Sequence, residues 1–123
     1  MLRGAIRRFR PMVEFPVIGS DGRRAIVPFV LDTGYSGMLA LPEAFCVQLA
    51  LEWDHSQTAT LANGSSIVVD VFLGRIIWDE GEKLVEILAV EGDPLIGLVA
   101  LDGYRVCLDV KEGGTVIIES IIG

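Results

Sequence analysis

Residues 27–41, Val-Pro-Phe-Val-Leu-Asp-Thr-Gly-Tyr-Ser-Gly-Met-Leu-Ala-Leu, constrain the fold more than any other stretch of the chain. A run of apolar, partly β-branched residues reads as a buried strand, and it delivers one acid, Asp32, into an abrupt turn before a second apolar segment resumes. A carboxylate reached through Phe29, Val30 and Leu31 loses hydration and needs donors or a shared proton to compensate it. Thr33 and Ser36 bring hydroxyls into short range, and Gly34 and Gly37 let backbone amides approach with no Cβ in the way. Asp-Thr-Gly also has a plainer use, as a turn in which the acid caps its own backbone. Such turns belong to polar surface loops, whereas Asp32 lies between two hydrophobic strands, so the flanks favour a prepared carboxylate site.

The rest of the chain alternates short apolar runs with turn residues. Met12 to Ile18 predicts a first strand, Gly19-Ser20-Asp21-Gly22 a turn, and Arg24 to Leu31 the returning strand. Pro16 and Pro28 cannot donate to a ladder, which assigns them to edges, ends or bulges. Pro42 and Glu43 suit the first turn of a helix whose apolar face, Phe45, Cys46 and Leu49, runs to about Leu51, and this is the one long helix expected. Trp53 to Ser56 returns to extended structure. Thr58 to Ala62 and Ser66 to Val71 flank Asn63-Gly64-Ser65, a hairpin signal because Asn-Gly tolerates positive φ at both central positions.

Phe72 to Trp78 continues the strand from Ser66, and after an Asp79-Glu80-Gly81-Glu82 turn Lys83 to Val90 predicts another strand. After a turn at Glu91-Gly92-Asp93-Pro94, the segment Leu95-Ile96-Gly97-Leu98 is apolar enough to lie buried beneath the Asp32 loop, with Gly97 allowing close backbone approach. Val99-Ala100-Leu101 reads as a short helix, and Tyr104 to Val110 with Thr115 to Ile118 as a final hairpin around Glu112-Gly113-Gly114. These elements add up to an all-β chain, a small closed β-structure with one helix.

Its 123 residues suit one domain, 1–123, and 51% apolar against 22% charged residues is a globular balance. A formal net charge of −7 argues against a nucleic-acid partner. Arg3, Arg7, Arg8 and Arg10 read as a solvated terminal segment in preference to a basic arm for nucleic acid or membrane. No run approaches the roughly 18 to 20 apolar residues of a membrane span, and the charged start lacks the apolar core of a secretory signal, so the expected location is cytoplasmic. Cys46 and Cys107, each among apolar neighbours, are expected as two buried free thiols and not a disulfide. Neither has a basic neighbour to activate it, and His55, the only histidine, is expected at the surface beside Asp54. The Gly-rich turns lack the spacing of a phosphate loop, and no cofactor or metal is expected.

Phe29-Val30-Leu31-Asp32-Thr33-Gly34-Tyr35-Ser36-Gly37 resembles the catalytic loop of aspartic proteases, and Leu95-Ile96-Gly97 resembles the second signature of the same group. Their order and separation, with the Asn63-Gly64 turn between, resemble the single-domain, retroviral-type aspartic proteases and their predicted prokaryotic relatives, from about Val13 to Ile118. Ser36 stands where the retroviral enzymes usually carry Asp, which points to the prokaryotic branch; the hairpin lacks the Tyr of pepsin-like flaps, and Leu98-Val99-Ala100-Leu101 replaces a more polar stretch. The resemblance implies a small closed β-barrel of the retropepsin-like type. It also implies that Leu61, Ala62, Asn63, Gly64 and Ser65 form a flap over substrate; on its own the sequence is equally consistent with an ordinary hairpin.

Amide hydrolysis without metal or covalent nucleophile needs two carboxyl groups sharing one proton, because two like charges about 3 Å apart cannot both ionise easily. The chain has no second Asp-Thr-Gly or Asp-Ser-Gly, and its other acids read as belonging to turns or strand edges. A homodimer solves this, with Asp32 of two subunits face to face across a two-fold axis. The resemblance then implies Asp32 as general acid and base, Thr33 as a buttress to the opposite loop, and the Gly34 amide as a donor to the carboxylate. Ser36, Ile96 and Gly97 would support that loop, and Ile96 and Val99 would shape side-chain pockets. The substrate would be a peptide or an unfolded protein segment, and the chain an aspartic endopeptidase; the alternative is a peptide-binding or dimerisation module of the same fold. The apolar tail Ile117 to Ile122 suits either an intersubunit sheet or a terminal strand within one subunit.

Overall fold

The computed structural model describes residues 1–79 and 81–121; Glu80, Ile122 and Gly123, and with them part of the expected 79–82 turn and of the apolar tail, lie outside the described residues. In chain order the elements are β1 (Leu2–Arg7), β2 (Arg10–Ile18), β3 (Arg24–Leu31), β4 (Leu39–Leu41), α1 (Glu43–Gln48), β5 (Glu52–Thr60), β6 (Ser66–Trp78), β7 (Gly81–Ala89), β8 (Leu95–Ile96), β9 (Tyr104–Leu108) and β10 (Thr115–Ser120). The all-β expectation holds. Strands β2, β3, β8, β4, β7 and β6 bond in succession, and β6 returns to β2 through Val17↔Ile76 and Ile18↔Arg75, so these strands close a ring. Outside the ring, β5 extends from β6 on one side, and β1, β10 and β9 extend in that order from β2 on the other.

Period-2 alternation fills the ring. Val13, Phe15 and Val17 of β2, Val27, Phe29 and Leu31 of β3, and Val85 and Ile87 of β7 are all buried. Phe15 and Phe29 stack with centroids 4.5 Å apart, and Trp78 meets Phe15 edge-on at 5.5 Å. Each such side chain contributes roughly 1.5–3 kcal/mol by leaving water, which fixes the floor on which β3 carries Asp32. Pro16 falls between the part of β2 that pairs β1 and the part that pairs β6, and Pro28 lies in β3 before its pairing with β8 begins, so each occupies a stretch with a partner on one side only.

Several expectations are corrected. The arginine-rich start is not a solvated segment but strand β1, with Ile6 buried and Arg3 and Arg7 exposed; the four cations masked a period-2 alternation. The helix stops at Gln48, short of Leu51. Ala50 turns left-handed at φ 52, with Leu51 N–H bonded to Cys46 O at 3.1 Å and Ala50 N–H to Val47 O at 3.0 Å, a Schellman closure that sends the chain into β5. Residues 98–102 form successive turns and no helix, through Leu101 N–H to Leu98 O and Asp102 N–H to Val99 O. Cys46 is buried as expected, but Cys107 is exposed on β9, which pairs only with β10 and so lacks a neighbour on its far side. Residues 117–120 of the tail belong to β10, which pairs with β1 and β9 of the same chain, as the terminal-strand alternative expects; Ile122 falls outside the described residues. No described helix is long and apolar enough to cross a membrane.

Candidate active site

Strand β3 ends at Leu31, and Asp32 is the first residue past it, half-buried. Its backbone N–H donates to Ile96 O at 3.0 Å, its carbonyl accepts from Tyr35 N–H at 3.1 Å, and its carboxylate Oδ1 accepts from Gly34 N–H at 2.9 Å. The carboxylate is thus aimed by the tight turn that Thr33 and Gly34 make, as the sequence reading expected of Gly34. Strand β8 runs parallel beneath β3, with Val30↔Leu95 and Leu31↔Ile96 in register, and antiparallel to β4 on its other side.

Residues 96–99 then strap the loop from below. Beyond the Ile96 bond, Gly97 N–H donates to Met38 O at 2.8 Å, Leu98 N–H to Tyr35 O at 2.9 Å and Val99 N–H to Gly37 O at 3.1 Å. Four consecutive backbone groups therefore fix both limbs of the Asp32 loop. The approach is so close that a Cβ built on Gly97 would lie 2.4 Å from Gly37 O and 2.6 Å from Tyr35 O, the reason a glycine stands there. Ile96 is fully buried under the loop, so it supports and does not line a pocket; Leu98, expected to be buried, is exposed because its backbone alone makes the bond.

Tyr35 was given no role by the sequence reading. Its ring lies against Gly37 and Gly97, and its hydroxyl donates to Leu39 O at 3.1 Å, bracing the loop against β4. Burial, reinforced by the Glu86 carboxylate, pushes this hydroxyl up to about 12 from 10.0. The unfolded chain ionises Tyr35 near pH 10 while the folded chain keeps the proton, so the stability it contributes is whole below pH 10 and is lost as pH rises toward 12. Urea midpoints should fall across that window and fall less for Tyr35→Phe; an equal alkaline loss in both chains would clear Tyr35 as the cause.

A cleft of about 300 Å³ opens beside the loop. Tyr35, Ser36, Gly37 and Met38 form one wall, and Gln57, Glu86, Leu88 and Val99 the rest. Asp32 is not among its lining residues. A larger groove of about 510 Å³ runs along β1 to β3 past Arg3, Arg7 and Glu14 and includes none of the Asp32 loop. Thr33 and Ser36 are exposed, and among the described residues the Thr33 hydroxyl has no partner within the chain.

The hairpin is present, built by β5 and β6 with Thr60↔Ser66 as the last pair. Its turn differs from the expected one with two positive φ values: only Gly64 is left-handed, at φ 86. Gly64 N–H bonds to Leu61 O at 2.9 Å and Leu61 N–H to Ser65 O at 2.8 Å, a type I turn followed by a left-handed glycine. Asn63 Oδ1 accepts from Ser65 N–H and Oγ, so the tip's hydrogen bonds stay within the hairpin and none reaches the Asp32 loop. Leu61 to Ser65, Ala62 included, are exposed; it is Gln57, nearer the base, that enters the cleft.

One bulge interrupts β5 between Trp53 and His55. It brings ligand atoms of Asp54, His55 and Glu86 within 4.8 Å of one another. Both ring nitrogens of His55 are engaged, Nδ1 with Asp54 Oδ2 at 2.6 Å and Nε2 with Gln57 Oε1 at 3.1 Å, and the Asp54 bond foremost raises its pKa. His55 thus lies beside Asp54, as expected. Glu86 was assigned to a turn or edge, but it stands in mid-strand, opposite Leu73. Alternation in Leu84-Val85-Glu86-Ile87-Leu88 shows which face it takes; that this face borders the cleft follows only from the parallel pairing of β4 with β7.

No family model matches the chain. Over 109 residues it is 28% identical to human PDZ domain-containing protein 2; the match takes in 81% of this chain, which spans 4% of the length of that protein. Among solved structures, a retropepsin-like aspartic protease from Rickettsia conorii superposes with a TM-score of 0.53 at 13% identity, covering 96% of this chain and 91% of that one. The ring of strands, with Asp32 turning out of β3 above β8, is a retropepsin-like fold.

Proposed function

We propose that this protein is an aspartic endopeptidase acting as a homodimer. The observation that carries this reading is the Asp32 loop: a half-buried carboxylate, oriented by the Gly34 amide and strapped by residues 96–99, in a retropepsin-like fold. Such rigidity suits a group that must hold a reacting water within hydrogen-bond reach. Asp32 accepts from no second carboxyl group among the described residues, so the other half of the dyad comes from a second copy of the chain.

In that dimer one Asp32 carboxylate takes a proton from water, whose oxygen attacks the peptide carbonyl carbon, while the other Asp32 gives its proton to the carbonyl oxygen. The tetrahedral adduct collapses as one Asp32 gives its proton to the nitrogen and the C–N bond breaks, while a hydroxyl of the adduct gives its proton to the other Asp32 as the carbonyl reforms, so the pair again shares one proton. Thr33, whose hydroxyl has no partner among the described residues, bonds across the two-fold axis to the partner's loop. Leu61 to Ser65 close over the peptide and exclude water. The substrate is a peptide or an unfolded segment, held as an added strand.

The second reading, a peptide-binding module of the same fold that does not cut, is favoured by one observation: Asp32 does not line the cleft. Dilution separates the two. Hydrolysis of a mixed peptide library should be present, and its rate per subunit should fall when the protein is diluted through the monomer–dimer transition located by sedimentation. Constant activity across that transition would exclude the shared dyad, and a dimer that cuts nothing would leave the binding module.

A further inference from the structure

The cleft beside the Asp32 loop has a chemical sign. Its walls are apolar where Tyr35, Met38, Leu88 and Val99 meet, and the one acidic or basic side chain in its lining is the carboxylate of Glu86, with the Gln57 amide nearby. Glu86 forms no ion pair among the described residues. Its negative field reaches the Tyr35 hydroxyl on one side and the His55 ring on the other, and no Lys or Arg lines the cleft to offset it. His55, within 4.8 Å of Glu86 and a cation when protonated, is held by Asp54, which adds a further negative charge.

An apolar trough with a carboxylate in its wall fits a side chain with an aliphatic stem and a cationic head. We propose that Glu86 makes this cleft a specificity subsite for a Lys or Arg side chain of the bound peptide. The stem lies along Leu88, Met38 and Val99, and the head meets Glu86 and the face of Tyr35. This rests on the peptidase reading only in taking the cleft as part of the peptide groove, since its residues adjoin the catalytic loop in sequence. A substrate carrying Asp or Glu at this position would face uncompensated repulsion in a chain whose net charge is already −7.

The test is binding, read on the Asp32→Asn chain at concentrations where it is dimeric, with fluorescent peptides carrying Lys, Arg, Gln, norleucine or Glu at each position in turn. One position should bind Lys or Arg roughly fivefold more tightly than Gln, the scale of a partly exposed ion pair. Adding Glu86→Gln should erase that preference, and Glu86→Lys should shift it to Glu. A preference unchanged by either substitution overturns the proposal, as does failure of every peptide to bind. A preference that vanishes on chelation also overturns it, in favour of a divalent cation at Asp54, His55 and Glu86. Hydrolysis by the unsubstituted chain is followed separately: if it is absent while the Glu86-dependent preference stands, only the peptidase reading fails, and if it is present without the preference, only the subsite does.

Discussion

Asp32→Asn should abolish peptide hydrolysis while leaving the fold intact. Asn keeps an oxygen where Oδ1 now accepts the Gly34 N–H at 2.9 Å, and it adds no volume to a half-buried position, so the turn has every reason to persist. What disappears is the ability to take and give a proton, and in a symmetric dimer one substitution removes both members of the dyad. General acid–base catalysis alone contributes about 10²- to 10⁴-fold, so the rate should fall by on the order of 10³-fold or more, into the background. The measurement is product formation from a defined peptide by mass spectrometry, with circular dichroism and a urea midpoint recorded on the same sample. Hydrolysis within about tenfold of the parent rate, from a variant that folds normally, would sink the role given to Asp32.

Gly97→Ala should be the most damaging methyl group that can be added near the site. The new Cβ would sit 2.4 Å from Gly37 O, 2.6 Å from Tyr35 O and 2.6 Å from Tyr35 Cδ2, two of them backbone atoms that cannot swing aside. Relief requires the strap and the loop to part, which lengthens the bonds from Gly97, Leu98 and Val99 together. Overpacking of this kind costs roughly 3 kcal/mol, and the Asp32 carboxylate would lose its aim along with the stability. Gly81→Ala is the control, because a Cβ there meets nothing within 4 Å. Equal urea midpoints for the two variants would show that the strap is looser than its bonds imply.

The parts of this architecture that were legible in the sequence are those set by local pattern. Alternation marked β2, β3, β6 and β7, and the glycine at 97 foretold a close approach because nothing else explains a glycine inside an apolar run. Asp32 announced itself by being the one acid set between two apolar strands. Elements decided by distant partners were not legible. Strand β1 looked like a charged tail because its Leu2 and Ile6 matter only once β2 and β10 flank them. The helix was overextended because apolar periodicity continues through Leu49 and Leu51, whereas the left-handed Ala50 that ends it leaves no composition signal. Tyr35 and Glu86 escaped notice for a related reason: one is a bulky residue within a turn, the other one charge among several on a strand, and their meeting depends on how β4, β7 and the loop come together.

The strap also sets a schedule. Asp32 is fixed by groups more than sixty positions later in the chain, Ile96 to Val99, and long-range pairings of this kind form slowly because a large loop must close before they are made. During synthesis, therefore, the acid emerges early, unaimed and open to water, and it stays so until residue 99 has left the ribosome and folded back. A nascent chain passes through most of its length with Asp32 unaimed, and the loop takes its final geometry only as the last strands of the ring are buried.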